Sequence, residues 1–291
     1  MSQTRHNMPL PIAPAPDPVD REFEALLSEP FAKAWAQPEG QLAGTQPLRD
    51  RLLGRVAASH AAGAVMYTAY RRRLEAEVLG AGVTAQTLYL AQAGRPPRAG
   101  EPLRSRLLEL AAGALLNPDA LGSEATLQSR HREWLVMSGR VELGGQMLGQ
   151  RDYHVTPTGH ATPTLCSADG ALVFLRESEQ PSTSTDGPVT VRDADAGWPD
   201  FAPGIQRRVL WQRDGQAAML YYAQAGAQVP QHRHGHDEEC LMLQGELFLD
   251  DLLLQTGDYQ VAPVGTSHRI TETDTGVVIY AHGDLDLQFT G

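Results

Sequence analysis

Several things are scarce in this sequence, and each scarcity removes a class of protein. Only two cysteines occur in 291 residues. No disulfide framework can be built from them, so Cys166 and Cys240 read as reduced thiols. No apolar run approaches the ~18 residues of a membrane-crossing helix, which argues against a membrane protein. The N-terminus lacks the basic-then-apolar pattern of an export signal, so the expected location is the cytoplasm. Cations are few: 24 Lys and Arg stand against 35 Asp and Glu, a net charge of −11. That balance disfavours nucleic acid as a partner.

A compact set of metal-type ligands is present. The chain reads Gly226-x5-His232-Arg-His234-x3-Glu238-x6-Gly245, then Gly257-x5-Pro263-x-Gly265-x2-His268. Alternate residues of a strand share a face, so His232 and His234 can point the same way, with Glu238 on the same parity. His268 must come from another strand, because one strand cannot surround an ion. The Gly257 to Gly265 stretch supplies the turns that could deliver it. Imidazoles with one carboxylate suit zinc, iron, nickel, copper or manganese. A merely His-rich surface loop, HRHGHDEE, would leave Pro263, Gly265 and His268 unexplained. The two strings resemble the two halves of the cupin motif, without insertion or deletion. Only the Asn that often closes the second half is replaced, by Glu272. The resemblance implies a small β-barrel presenting His232, His234, Glu238 and His268 to one divalent metal per chain. Zinc or iron(II) is expected, with nickel or manganese also compatible.

The sequence also repeats itself. Residues 139–159, GRVELGGQMLGQRDYHVTPTG, align without gaps on residues 245–265, GELFLDDLLLQTGDYQVAPVG, at an offset of 106. Eight positions are identical, including Gly139/Gly245, Asp152/Asp258, Tyr153/Tyr259 and Pro157/Pro263. Gly144-Gly145 and Asp250-Asp251 sit between short alternating apolar runs, a hairpin signal. Upstream, AGVTAQTLY (81–89) echoes PGIQRRVLW (203–211). The first copy has no ligands. At the offset, Thr126, Gln128, Arg132 and Thr162 stand where His232, His234, Glu238 and His268 stand in the second, and an Arg repels a cation. His131, His154 and His160 lie nearby and are expected to be partly exposed loop and strand residues.

The expected fold is mainly β: two tandem cupin (double-stranded β-helix, or jelly-roll) barrels behind an α-helical N-terminal extension. The segments are residues 1–75 (extension), 76–177 (barrel without ligands), 178–187 (linker) and 188–291 (metal-binding barrel). Residues 1–19 contain five prolines and read as disordered. Residues 20–35 form a candidate helix interrupted by Pro30. Residues 48–77 form the longest helix candidate, ending in Arg71-Arg72-Arg73, a docking patch or simply a solvated helix end. Residues 98–116 are ambiguous between helix and strand, with the end expected in a barrel strand.

Three strings narrow the resemblance. PGIQRRVLW, HRHGHDEECLMLQG and GDYQVAPVGTSH, with Trp198 upstream, are similar to the cupin domain of the ChrR type of anti-sigma factor. That family clamps a sigma factor through a zinc module of His-x3-Cys-x2-Cys form and answers oxidative signals with its cupin. No cysteine precedes Cys166 here, so the clamp is absent. The same subtype also resembles dioxygenases that cleave small diketones and aryl ketones with iron(II). Two functions therefore stand as expectations. The first is a regulatory or sensory cupin in an oxidative-stress or sigma-factor-related pathway; the second is a non-haem iron dioxygenase. The expected partners are a small-molecule ligand or reactive oxygen species, a regulatory protein, and a second copy of the chain. Cys240 and Met242, two and four residues after Glu238, are expected to line the same lumen.

Overall fold

The computed structural model describes residues 65–92, 94–183 and 186–290, together with 50, 53, 54, 56, 57 and 61. The 106-residue repeat appears as two copies of one sheet. In spatial order the first sheet runs Val189–Val191, Tyr153–Thr156, His131–Gly139, Ala171–Ser178, Pro102–Leu110, Val83–Leu90 and Ala76–Gly80. The second runs Tyr67–Ala69, Tyr259–Ala262, Glu238–Leu249, Val277–Asp284, Gln216–Ala223, Ile205–Arg213 and Asp200–Ala202. Each barrel is completed by short strands. In the first these are Ala114–Leu116, Leu165–Ser167, Val141–Leu143 and Gln146–Leu148.

Identities within the repeat mark backbone demands. Gly139 and Gly245 both hold φ near +80°, and a Cβ on either would strike the carbonyl of Gly170 or Gly276. Only glycine meets both conditions. Asp152 and Asp258 do the same work twice. Asp152 accepts from the backbone N–H of Gly149 and Asp193, and Asp258 from that of Gln255 and Arg71. The expected hairpin turns are present: Gly144, Gly145 and Asp250 all have positive φ, and strands flank both turns.

The barrels exchange strands. Tyr67–Ala69, which precedes the first barrel, pairs with Tyr259–Ala262 in the second barrel's sheet. Val189–Val191, which precedes the second, pairs with Tyr153–Thr156 in the first. Tyr67 faces Val261 and Val189 faces Val155, so the exchange obeys the repeat. Each visitor covers a sheet edge that would otherwise offer unpaired N–H and C=O groups. A cut at 187/188 therefore divides paired strands.

This exchange corrects the helix expected over residues 48–77. The residues described between 50 and 61 are helical, but Tyr67–Ala69 and Ala76–Gly80 are strands and Arg71–Arg73 a short 3-10 turn. Sheet pairing and the Asp258 carboxylate on the Arg71 N–H override the local helical pattern. Arg71 to Arg73 accordingly end no α-helix. Residues 98–116 resolve into the strands Pro102–Leu110 and Ala114–Leu116. The candidate helix over 20–35 and the Pro-rich 1–19 lie outside the described residues. Among the described residues, no helix is long and apolar enough to cross a membrane.

The apolar core falls into three clusters: inside the first barrel around Trp134, between the barrels around Leu135, Phe174 and Tyr280, and inside the second around Met219 and Met242.

Candidate metal centre

Three chain segments converge on one carboxylate. His232 begins the two-residue strand His232–Arg233, which pairs with Ser267–His268 so that His232 stands opposite His268. His234 follows that strand, its backbone tied to Thr266 and Gly265. A turn then leads to Glu238, the first residue of the long strand Glu238–Leu249. The Nε2 atoms of His232, His234 and His268 lie 4.0, 3.6 and 3.9 Å from Glu238 Oε1. The histidines are all buried. Ligand atoms of His232, His234 and Glu238 lie within 4.8 Å of one another.

Each imidazole is held from behind. The Nδ1 of His232 faces the Pro230 carbonyl at 3.1 Å, that of His234 the Thr266 hydroxyl at 3.0 Å, and that of His268 an Asp250 carboxylate oxygen at 3.4 Å. An occupied Nδ1 leaves Nε2 as the free donor atom, the arrangement of metal-binding histidines. His234 Nε2 is buried without any hydrogen-bond partner, which costs stability unless something else meets it. The donor set of three imidazole nitrogens and one carboxylate oxygen therefore fits a divalent transition metal.

The charges agree. Burial alone would raise the Glu238 carboxyl, yet the surrounding imidazoles outweigh it and hold it down at about 2. His232 is raised: burial acts to lower it, but the Glu238 carboxylate more than compensates. His234 is pushed down, chiefly by burial. Glu238 has room because residue 283 is glycine; a Cβ there would press on Glu238 at 3.3 Å.

Behind the ligands opens an apolar cavity lined by His232, Glu238, Cys240 and such residues as Met219, Tyr221 and Ile279. Cys240 lines it as expected, whereas Met242 packs in the adjoining core. Burial pushes the Cys240 thiol up, and Glu238 reinforces the shift, so the group stays protonated.

The first barrel shows how such a site is closed. Arg132, at the position of Glu238, is fully buried and donates to Glu177 at 3.1 Å. Glu177 is the repeat of Gly283. Arg104 and Arg106 meet the same carboxylate at 2.6 and 3.5 Å, so an internal cationic cluster stands where an ion would sit. The cavity is closed as well. Cys240, Thr271 and Ala281 line the cavity in the second barrel. Their repeats are Trp134, Leu165 and Leu175, all fully buried core residues of the first. Reading the sequence for ligands alone missed these substitutions, although the 106 offset carries them. Thr126 and Gln128 lie in a helix, Glu124–Gln128, rather than on a ligand strand. His131 and His154 are buried strand residues, not partly exposed ones, because the exchanged strand and the barrel interface cover them. His154 Nδ1 meets the Thr190 hydroxyl and His160 Nε2 the Asp186 carbonyl.

Residues 186–286 match the family profile described as the ChrR Cupin-like domain. No curated protein matches the chain in sequence. Among solved structures, a candidate dioxygenase from Nostoc punctiforme superposes with a TM-score of 0.60 at 12% identity, covering 78% of this chain and 87% of that one. The protein Ylba from E. coli gives 0.56 at 14% identity, over 75% and 90%. An S161A mutant of Bacillus subtilis oxalate decarboxylase gives 0.51 at 14%, over 77% and 78%. At these identities the likeness is one of fold. Residues 186–286 thus match the ChrR Cupin-like domain, in a chain that shares its fold with these solved structures.

Proposed function

We propose that the second barrel binds one divalent metal through His232, His234, Glu238 and His268, and acts there as an oxygenase-type enzyme on a small, uncharged, largely apolar carbonyl compound. The observation that carries the enzyme reading is the cavity. It opens directly beside the ligands, and its lining contains no Lys or Arg to recruit an anionic substrate. Its apolar wall excludes water and favours an apolar body. Glu238 stays ionised, and the imidazoles turn Nε2 toward it. A bound iron(II) would supply Lewis acidity and an electron source for dioxygen. His232, His234, His268 and Glu238 would hold it, and the cavity beside them would receive the substrate. The fold shared with a candidate dioxygenase is compatible with this reading.

The regulatory reading keeps one specific support, the match of residues 186–286 to the ChrR Cupin-like domain. Against a redox switch at Cys240 stands its buried, protonated thiol, since reactivity needs thiolate. Oxygen consumption separates the two. We expect the iron(II)-loaded protein to take up dioxygen with small diketones or hydroxyaryl ketones, and Glu238→Ala to abolish uptake. Tight zinc binding with no uptake across that panel would instead favour the regulatory role.

A further inference from the structure

We infer that the barrel without ligands is the positioning partner of the metal site: Arg176, reaching across the barrel interface to Glu239, fixes the strand start from which Glu238 projects. The inference rests on the metal reading above. Glu238 and Glu239 are consecutive, so their side chains leave opposite faces of the strand. Glu238 enters the cavity. Glu239 enters the interface between the barrels, where it is wholly buried. There Arg176 Nε donates to Glu239 Oε1 at 2.5 Å, and Ser105 Oγ donates to Oε2 at 3.2 Å. The Tyr259 hydroxyl also donates to Oε2.

The repeat isolates what is special about this clamp. Glu133 is the repeat of Glu239, and Tyr153 of Tyr259. Tyr153 likewise donates to Glu133, at 2.6 Å, joined by Tyr280 at 2.7 Å. The cation is not repeated. Arg176 comes from the first barrel and grips both carboxylates, donating to Glu133 Oε1 at 2.8 Å. Its repeat, His282, has neither ring nitrogen hydrogen-bonded. The two carboxylates thus share one guanidinium and similar burial, but have different neighbours. Beside Glu133 stands Arg132, which needs no ion. Beside Glu239 stands Glu238, whose oxygen must be aimed at three imidazoles while Gly283 behind it offers no side-chain wall. Charge-assisted bonds to a planar guanidinium fix direction as well as distance. Arg176 is therefore a positioning residue, and the first barrel has a role beyond covering a sheet edge.

The test compares repeat-equivalent variants of the full chain. Glu239→Gln and Glu133→Gln each neutralise one carboxylate while keeping its shape, and both are expected to lower the melting temperature. Cobalt(II) and zinc(II) titrations then separate positioning from general stability. Glu239→Gln should weaken binding by ~10-fold or more, the usual cost of losing an outer support, and shift the visible cobalt absorption. Glu133→Gln should leave both within twofold. If either Gln variant fails to fold, Tyr259→Phe and Tyr153→Phe, which remove one hydrogen bond each, make the same comparison. Equal effects within a pair, or no effect of the Glu239 or Tyr259 change, would overturn the inference. A wild-type chain that binds no ion, or a His232→Ala variant that binds as tightly as wild type, would overturn the metal reading itself.

Discussion

At the residue scale, the two barrels differ at a few positions that decide everything chemical. Glu238 over Gly283 makes a buried carboxylate with space around it. Arg132 over Glu177 makes a closed internal ion pair. Cys240 leaves a cavity where Trp134 fills one. Cys240→Trp should therefore keep the metal and lose the ligand pocket; metal content and ligand titration on the same sample check this. A Trp there that left ligand binding intact would place the pocket elsewhere. Asp250 holds His268 from behind and also accepts from the N–H groups of Arg269 and Ile270. Asp250→Ala should weaken metal binding by roughly 10-fold or more, read by calorimetry, with the barrel still folded. That His232, His234, Glu238 and His268 come together was legible in the sequence because their spacing is fixed by strand and turn geometry. Their supports were not. Asp250, Thr266 and Pro230 act across hairpins and loops, and nothing in local spacing marks which of them lies behind which ring.

At the scale of elements, the exchanged strands are the part that local pattern misread. Residues 67–77 fall in the expected helix of 48–77, but Tyr67–Ala69 and the start of Ala76–Gly80 are claimed by the sheets. Tyr67–Ala69 gains a ladder with Tyr259–Ala262 that no local signal announces. The repeat, by contrast, was readable because its glycines and aspartates answer to backbone demands that both copies share. The other exchanged strand carries a pH consequence. His154 faces Thr190 across that pairing, and burial, helped by Arg192, pushes it down to about 4. An unfolded histidine titrates near 6.5. The unfolded chain therefore takes up the proton first, and His154 favours folding fully only above that value. Its contribution declines as pH falls from about 6.5 toward about 4, with a limiting slope of about 1.4 kcal/mol per pH unit. Urea unfolding of the metal-free protein between pH 7 and 4.5 measures it. His154→Asn should show a shallower decline than wild type, and an unchanged slope would contradict the assignment.

At the scale of the molecule, residues 56–291 form one unit in which each barrel's sheet is completed by a strand from outside its own segment. A fragment of residues 188–291 lacks Tyr67–Ala69 and Arg176. It leaves a bare sheet edge and exposes the apolar face around Leu241 and Tyr280 that the first barrel covers. We expect that fragment to be unfolded or aggregated by circular dichroism, while residues 66–291 fold. A stable, metal-binding 188–291 fragment would contradict the dependence of one barrel on the other. The central claim is that one barrel holds an ion and its repeat holds none. Metal-to-protein ratio by mass spectrometry, on wild type and on His232→Ala and His268→Ala, tests it most directly. The account predicts one ion per chain in the wild type and a large loss in both variants. Two ions per chain, or one ion retained in both variants, would contradict it.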